Sequence, residues 1–218
     1  MFFLIIGKLI PPFDPTAGAD EIARFLIENK LRVRLGATLS MIGATLMLPF
    51  LAVICVRIFR IERTFGVLTA TQVLASAFFV PGFWVSLMSL STALFRPESR
   101  AVEITQAFTD YFWLMFVGIA EVAVAQAVIL AIAAFIDRGT PATFPRWFAY
   151  FNIWYALLTL PGALVVLFND GPLAWNGVFA FWIPLTVFSI WLLTTVWVLL
   201  RSIRDEEAAA NRAAVSPE

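Results

Sequence analysis

Between residues 36 and 200 the chain carries five apolar runs, each long enough to cross a bilayer, and this repetition restricts the fold more than any other feature. A helix rises 1.5 Å per residue, so about 20 mostly apolar residues cover a hydrocarbon layer of ~30 Å. The runs lie at 36–56, 67–93, 111–136, 147–168 and 177–200, and are called spans A to E. The connections between them are short, which predicts one bundle and not two domains. Of the 218 residues 61% are hydrophobic and 14% charged, against about 45–50% and about 25% in a soluble domain. Water offers no arrangement for so much apolar surface. The expected fold class is an all-α integral membrane bundle of five full spans plus a short N-terminal apolar segment.

The flanks are less regular. "MFFLIIGKLIPP" is too short to cross as a helix and lacks both the basic start and the small-residue cleavage site of a signal peptide. An interfacial helix and the stump of a longer first span both fit it. Within 13–35, "GADEIARFLIENKLRVRLG" sets Asp20/Arg24 and Glu28/Arg32 at i,i+4, acid first, with Ile22, Phe25, Leu26 and Val33 free to share the opposite face. This reads as an extracytoplasmic amphipathic segment lying at the membrane surface and feeding into span A, or as a solvated helix cap on the bundle. Lys and Arg concentrate on cytoplasmic flanks. Arg57, Arg60, Arg63, Arg138, Arg146, Arg201, Arg204 and Arg212 fall on one side, against Arg24, Lys30, Arg32, Arg34, Arg96 and Arg100 on the other. That margin places the C-terminus, with a polar, fraying tail at 203–218, in the cytoplasm.

Composition also narrows the chemistry. The chain has no histidine, which removes histidine-based acid–base catalysis, the Ser-His-Asp and Cys-His arrangements, and the common zinc, copper and haem sites. Cys55 is the sole cysteine and reads as a small core residue. Fifteen basic residues balance fifteen acidic ones, so no basic stripe points to nucleic acid. No catalytic residues, metal or cofactor are expected.

Glu121 stands near the middle of span C, in "FVGIAEVAVAQAVILAIAAF". A charge at that depth costs a few kcal/mol and marks a functional suspect. With no Lys or Arg deep in any span, a neutral, hydrogen-bonded carboxyl is expected. Counting ~15 Å inward from the outer ends reaches Thr45, Ser86, Thr159 and Thr186, with Tyr155 one turn away. A polar shelf at one depth follows as the candidate site, serving either as glue between helices or as a ligand or proton site. A proton path is hard to extend, because the same face continues inward through Val124, Val128, Ile132 and Phe135. Ala120, Ala123, Ala127, Ala131 and Ala134 mark the buried face of span C, with Gln126 beside it.

Spans B and D each contain Pro-Gly, at Pro81-Gly82 and Pro161-Gly162. Each proline frees the carbonyl four residues back, Ala77 and Leu157, and is expected to kink its helix. Paired breaks in corresponding positions point to a transporter's binding site. Between D and E, "NDGP" is turn chemistry. Trp175 and Asn176 then fall at one headgroup belt, and Trp147, Tyr150 and Trp154 at the other.

The series "FPRWFAYFNIWYALL", "LPGAL", "NDGPLAWNG" and "FAFWIPLTVFSIWLL", together with "VRLG" and "FRPE", resembles a group of small, uncharacterised bacterial membrane proteins, chiefly actinobacterial, over roughly residues 20 to 203. The resemblance implies a bacterial cytoplasmic-membrane location and a six-span architecture with a fuller first segment; it carries no activity. The functional expectation is a non-catalytic polytopic membrane protein. Either it is an accessory subunit of an assembly, with other membrane subunits or a second copy as partner, or it binds lipid or another lipophilic ligand. The alternative is a small transporter with a midplane site at Glu121 and the Pro-Gly breaks.

Overall fold

The computed structural model describes residue 5 and residues 7–215; most of the apolar N-terminal stretch and the last three residues of the tail lie outside it. In chain order the helices are α1 (Ala19–Glu28), α2 (Lys30–Thr45), α3 (Met47–Glu62), α4 (Val67–Ala93), α5 (Val102–Gly118), α6 (Ala120–Ile136), α7 (Arg146–Thr159) and α8 (Ile183–Val215). A 3-10 stretch, Leu160–Leu167, continues α7, and a π turn, Val178–Trp182, leads into α8. There is no strand among the described residues. Five helical segments are long and apolar enough to cross a membrane: Lys30–Glu62, Val67–Ala93, Val102–Ile136, Arg146–Leu167 and Gly171–Arg212.

These segments exceed the apolar runs at their charged ends, for a local reason. Hydropathy stops at the first charges, while backbone hydrogen bonding continues wherever a side chain can dispose of its charge. Span A starts at Lys30, not 36, because Arg34 donates to the carbonyls of Leu94 and Phe95 at 2.7 and 3.1 Å, and Lys30 pairs with Glu98 at 2.6 Å. Those carbonyls end α4 and would otherwise lack donors. The helix of span C begins at Val102, ahead of the expected 111, and is broken once, at Ile119. The tail expected to fray is helical through Val215. Its alanines are strong helix formers, and Arg57 and Arg60 both bond Glu206.

The segment before span A differs from expectation in its ion pairs. Neither Asp20–Arg24 nor Glu28–Arg32 forms among the described residues; the second spacing is interrupted by Asn29, which separates α1 from α2. Its apolar face turns onto the bundle. Ile22, Leu26 and Val33 are buried, Phe25 meets Phe13 edge-on at 4.8 Å, and α1 packs across α5. Trp175, assigned to a headgroup belt, is instead buried, and its Nε1 donates to the Phe13 carbonyl at 2.9 Å. The segment thus closes over one end of the bundle. Trp147, Tyr150 and Trp154 are exposed, as a belt requires.

The spans pack in chain order. α4 lies against α2, α3, α5 and α6; α6 runs along α7, and α7 along α8. Two apolar cores result. One, toward the Arg57 end, holds Ile54, Leu130, Phe148 and Trp191; the other, under α1, holds Leu26, Leu90, Phe112 and Trp113. Phe83 packs against both. The exterior is rich in large apolar side chains, among them Leu31, Leu74, Val166 and Leu193.

Candidate functional site

The two Pro-Gly pairs meet at one place. α4 stays helical across Pro81, whose ring lies on the exposed side, while Gly82 is buried. A Cβ on Gly82 would lie 2.3 Å from Cδ1 of Ile119, the residue at which α5 gives way to α6. At Pro161 the α-helix of span D becomes 3-10. A Cβ on Gly162 would lie 2.9 Å from the Ala120 Cβ and 3.4 Å from the Ala180 carbonyl oxygen. Both glycines therefore press spans B and D onto the same joint in span C, residues 117–120. At Gly162 the neighbouring Cβ and carbonyls leave no room for a side chain, whereas at Gly82 only the movable end of Ile119 stands in the way.

A cavity of about 60 Å³ lies at this joint. Its walls come from four spans: Phe79 and Phe83 of B, Phe116 and Ala120 of C, Tyr155 and Thr159 of D, and Phe181, Leu185 and Phe188 of E. Phe83 meets Phe79 and Phe116 edge-on at 5.0 and 5.3 Å. Trp191 is stacked between Tyr155 and Phe188, at 5.2 and 6.1 Å. Its Nε1 donates to Asn152 Oδ1 at 2.9 Å, and Asn152 Nδ2 donates to the Phe148 carbonyl at 2.8 Å. This buried chain fixes the tryptophan, and through it the tyrosine face. Phe83, Pro184, Leu185 and Phe188 are only partly buried, so the cavity reaches the bundle exterior between α4 and α8. Thr159 is 3% exposed, and its hydroxyl makes no hydrogen bond of full geometry, its polar neighbour in the cavity wall being Tyr155.

No protein-family model, curated protein or solved structure matches this chain. Its functional reading rests on geometry.

The polar shelf expected around Glu121 does not assemble. Tyr155 and Thr159 line the cavity together. Ser86 is buried and donates to the Phe83 carbonyl at 2.7 Å, just behind the cavity wall. Thr45 and Thr186 lie on the exterior, satisfied by the carbonyls of Met41 at 3.0 Å and Trp182 at 2.8 Å within their own helices. Glu121 also points outward and has no hydrogen bond or ion pair among the described residues. Counting along a helix gives height, whereas direction turns by about 100° per residue. The alanine face at 120, 123, 127, 131 and 134 is buried, and burying it swings Glu121 to the outside.

One polar cluster escaped the depth count. Gln72 and Gln126 both direct Nε2 at the Ser76 hydroxyl, at 3.2 and 3.5 Å, with Cys55 Sγ at 3.9 Å. All but Cys55 are buried, and the cluster joins spans A, B and C. Gln72 and Ser76 are one turn apart on one helix, a spacing visible in the sequence; the approach of Gln126 depends on packing.

Proposed function

We propose that this protein is a non-catalytic, multi-pass protein of the bacterial cytoplasmic membrane, with its C-terminus in the cytoplasm, that binds a lipophilic molecule. The cavity at the Pro-Gly joint is the observation that carries this reading. Its walls are aromatic and aliphatic, it opens sideways where lipid chains would lie, and a few convergent polar groups beside apolar walls are what ligand pockets generally offer. About 60 Å³ holds a short apolar segment and not a whole lipid, so an acyl chain would enter with its end. The Thr159 and Tyr155 hydroxyls in the wall would then meet a hydroxyl or carbonyl of the guest, since buried polar groups gain from a well-aligned partner. The transporter alternative loses its acid, because Glu121 lies outside the cavity.

The test is photolabelling of detergent-purified protein with a diazirine-bearing palmitoyl ester, followed by peptide mapping. Labels are expected on Phe83, Leu185 or Phe188. Ala123→Leu, which fills the cavity, lowers them severalfold, and Thr159→Val weakens retention while leaving the helical signal intact. Labelling spread evenly over the exterior, unchanged in both variants, would overturn the reading.

A further inference from the structure

Where the apolar runs of spans A and C stop, at residues 56 and 136, the chain opens a cleft of about 400 Å³, far larger than the mid-bundle cavity. Three elements enclose it: the end of α3 with Arg60, Ile61 and Arg63, the loop after α6 with Asp137 and Arg138, and α8 with Glu206. Arginines on the flank of a span are ordinary. These are set apart because the fold gathers them round one hollow and leaves them short of acceptors.

The acids at the cleft are already engaged. Glu206 is shared by two guanidiniums, those of the buried Arg57 and of Arg60, the second at 3.2 Å. Asp137 turns back on its own loop, its Oδ1 accepting from the Gly139 amide at 2.8 Å and its Oδ2 from the Phe144 amide at 2.9 Å. Glu62, beside Arg63, accepts from the amides of Leu68 and Thr69 and from the Thr69 hydroxyl, at 3.1, 2.7 and 2.6 Å. Asp205 on α8 pairs with Arg201 at 3.6 Å. Arg63 and Arg138 are left with no ion pair among the described residues. Counting Arg57 behind the wall, four guanidiniums stand against the two carboxylates of Asp137 and Glu206. The hollow is also built in advance. Buried Arg57 holds Glu206 and Glu206 holds Arg60, while Asp137 and the buried Phe144 fix the loop that carries Arg138.

We propose that this cleft binds a phosphate ester, brought to it as the headgroup of an anionic membrane phospholipid. A guanidinium presents a planar fork of donors that matches phosphate oxygens, and basic pockets between spans at the membrane surface suit lipid headgroups. Ile61 and Ile136 line the same cleft. A lipid whose phosphate meets Arg63 and Arg138 therefore finds apolar wall for the start of its chains, from which a small soluble anion would gain nothing. The inference rests on the membrane placement proposed above and is independent of the mid-bundle cavity.

Arginine footprinting locates the ligand on the unaltered chain. Full-length protein in nanodiscs of phosphatidylcholine, with or without phosphatidylglycerol, is treated with phenylglyoxal and mapped by peptide mass spectrometry. With phosphatidylglycerol, Arg63 and Arg138 should react severalfold more slowly. Arg146, exposed at the same end of the bundle but outside the cleft, should change little. Native mass spectrometry in mild detergent gives the affinity. Arg63→Gln combined with Arg138→Gln lowers the association constant for phosphatidylglycerol about thirtyfold, the worth of two basic groups at an anionic membrane surface. Arg63→Lys with Arg138→Lys retains part of it, and both double variants unfold at the wild-type temperature, since neither arginine holds an ion pair within the chain. Equal slowing of all three arginines, or a double glutamine variant that holds phosphatidylglycerol like wild type, would overturn the inference. Millimolar glycerol 3-phosphate that shields Arg63 and Arg138 as well as the lipid does would overturn the lipid as the source of the phosphate. Protein that stays soluble without detergent would instead overturn the membrane placement itself.

Discussion

At the scale of single residues, the outcome of each polar side chain depends on which way its helix turns. Glu121 and Thr159 both sit in mid-bundle, but one faces out and one faces the cavity. Glu121→Gln should keep the fold and the amount of assembled protein, since an amide of equal size replaces an outward-facing carboxyl that holds no partner among the described residues. Yield and gel-filtration profile check this, and severe loss would mean that the carboxyl is required. Glu98 is held in a pair. Its bond to Lys30 at 2.6 Å holds the carboxyl below the usual carboxylate range. Stabilisation from a lowered carboxyl is present above its unfolded value and is lost as pH falls through the folded one. An NMR titration should place the Glu98 midpoint below the ~4.3 of free glutamate and return it there in Lys30→Met. Both groups are partly exposed, so the effect on stability is small.

At the scale of helices, the two Pro-Gly sites look alike in sequence and behave differently. α4 absorbs Pro81 without leaving α geometry, while α7 gives way to 3-10 at Pro161. The glycines differ in the same sense. The atom nearest a Cβ at Gly82 is the movable end of Ile119, whereas at Gly162 it is the Ala120 Cβ, backed by the carbonyls of Ala180 and Val117. Gly162→Ala should therefore destabilise by about 1–3 kcal/mol, the range for overpacking, and Gly82→Ala by less. Thermal unfolding in detergent compares them. A second helix-level contact ties α3 to α8 through Arg57, which is 5% exposed, and Glu206. Removing only the acid strands a buried cation. Because Glu206 is 40% exposed, Glu206→Gln should cost about 1–2 kcal/mol, less than a fully buried pair would. Arg57→Met should cost less than Glu206→Gln, since no buried charge is left unpaired.

At the scale of the whole molecule, two cores are joined through Phe83, at the wall of the cavity. Most polar links sit away from that junction. Arg57 and Glu206 tie one end, Lys30, Arg34 and Glu98 the other, and the Gln72–Ser76–Gln126 cluster lies between the spans. The middle is mainly aromatic packing, steadied by the Trp191–Asn152 bond and by Ser86 on the Phe83 carbonyl. The exterior of large apolar side chains has the further consequence that the protein should precipitate when detergent is withdrawn and stay monodisperse in nanodiscs. Analytical ultracentrifugation with and without detergent checks this.

The amino-acid sequence by itself determined the helical class, the number and rough limits of the apolar segments and the buried alanine face of span C. These are legible because transfer from water is nearly additive along a chain, so a run of Leu, Phe, Val and Ala announces itself wherever it stands. Segment ends were misread wherever a charge was neutralised from afar, as Arg34 is by the end of α4. Tertiary structure alone decided direction. It turned Glu121, Thr45 and Thr186 outward, brought Gln126 to Ser76, buried Trp175, and closed both Pro-Gly glycines on Ile119 and Ala120. A helix that is apolar all round, as α4 largely is, carries no stripe in its own sequence to say which side faces in. Its rotation is set by the shapes of its neighbours, and those exist only once the chain has packed.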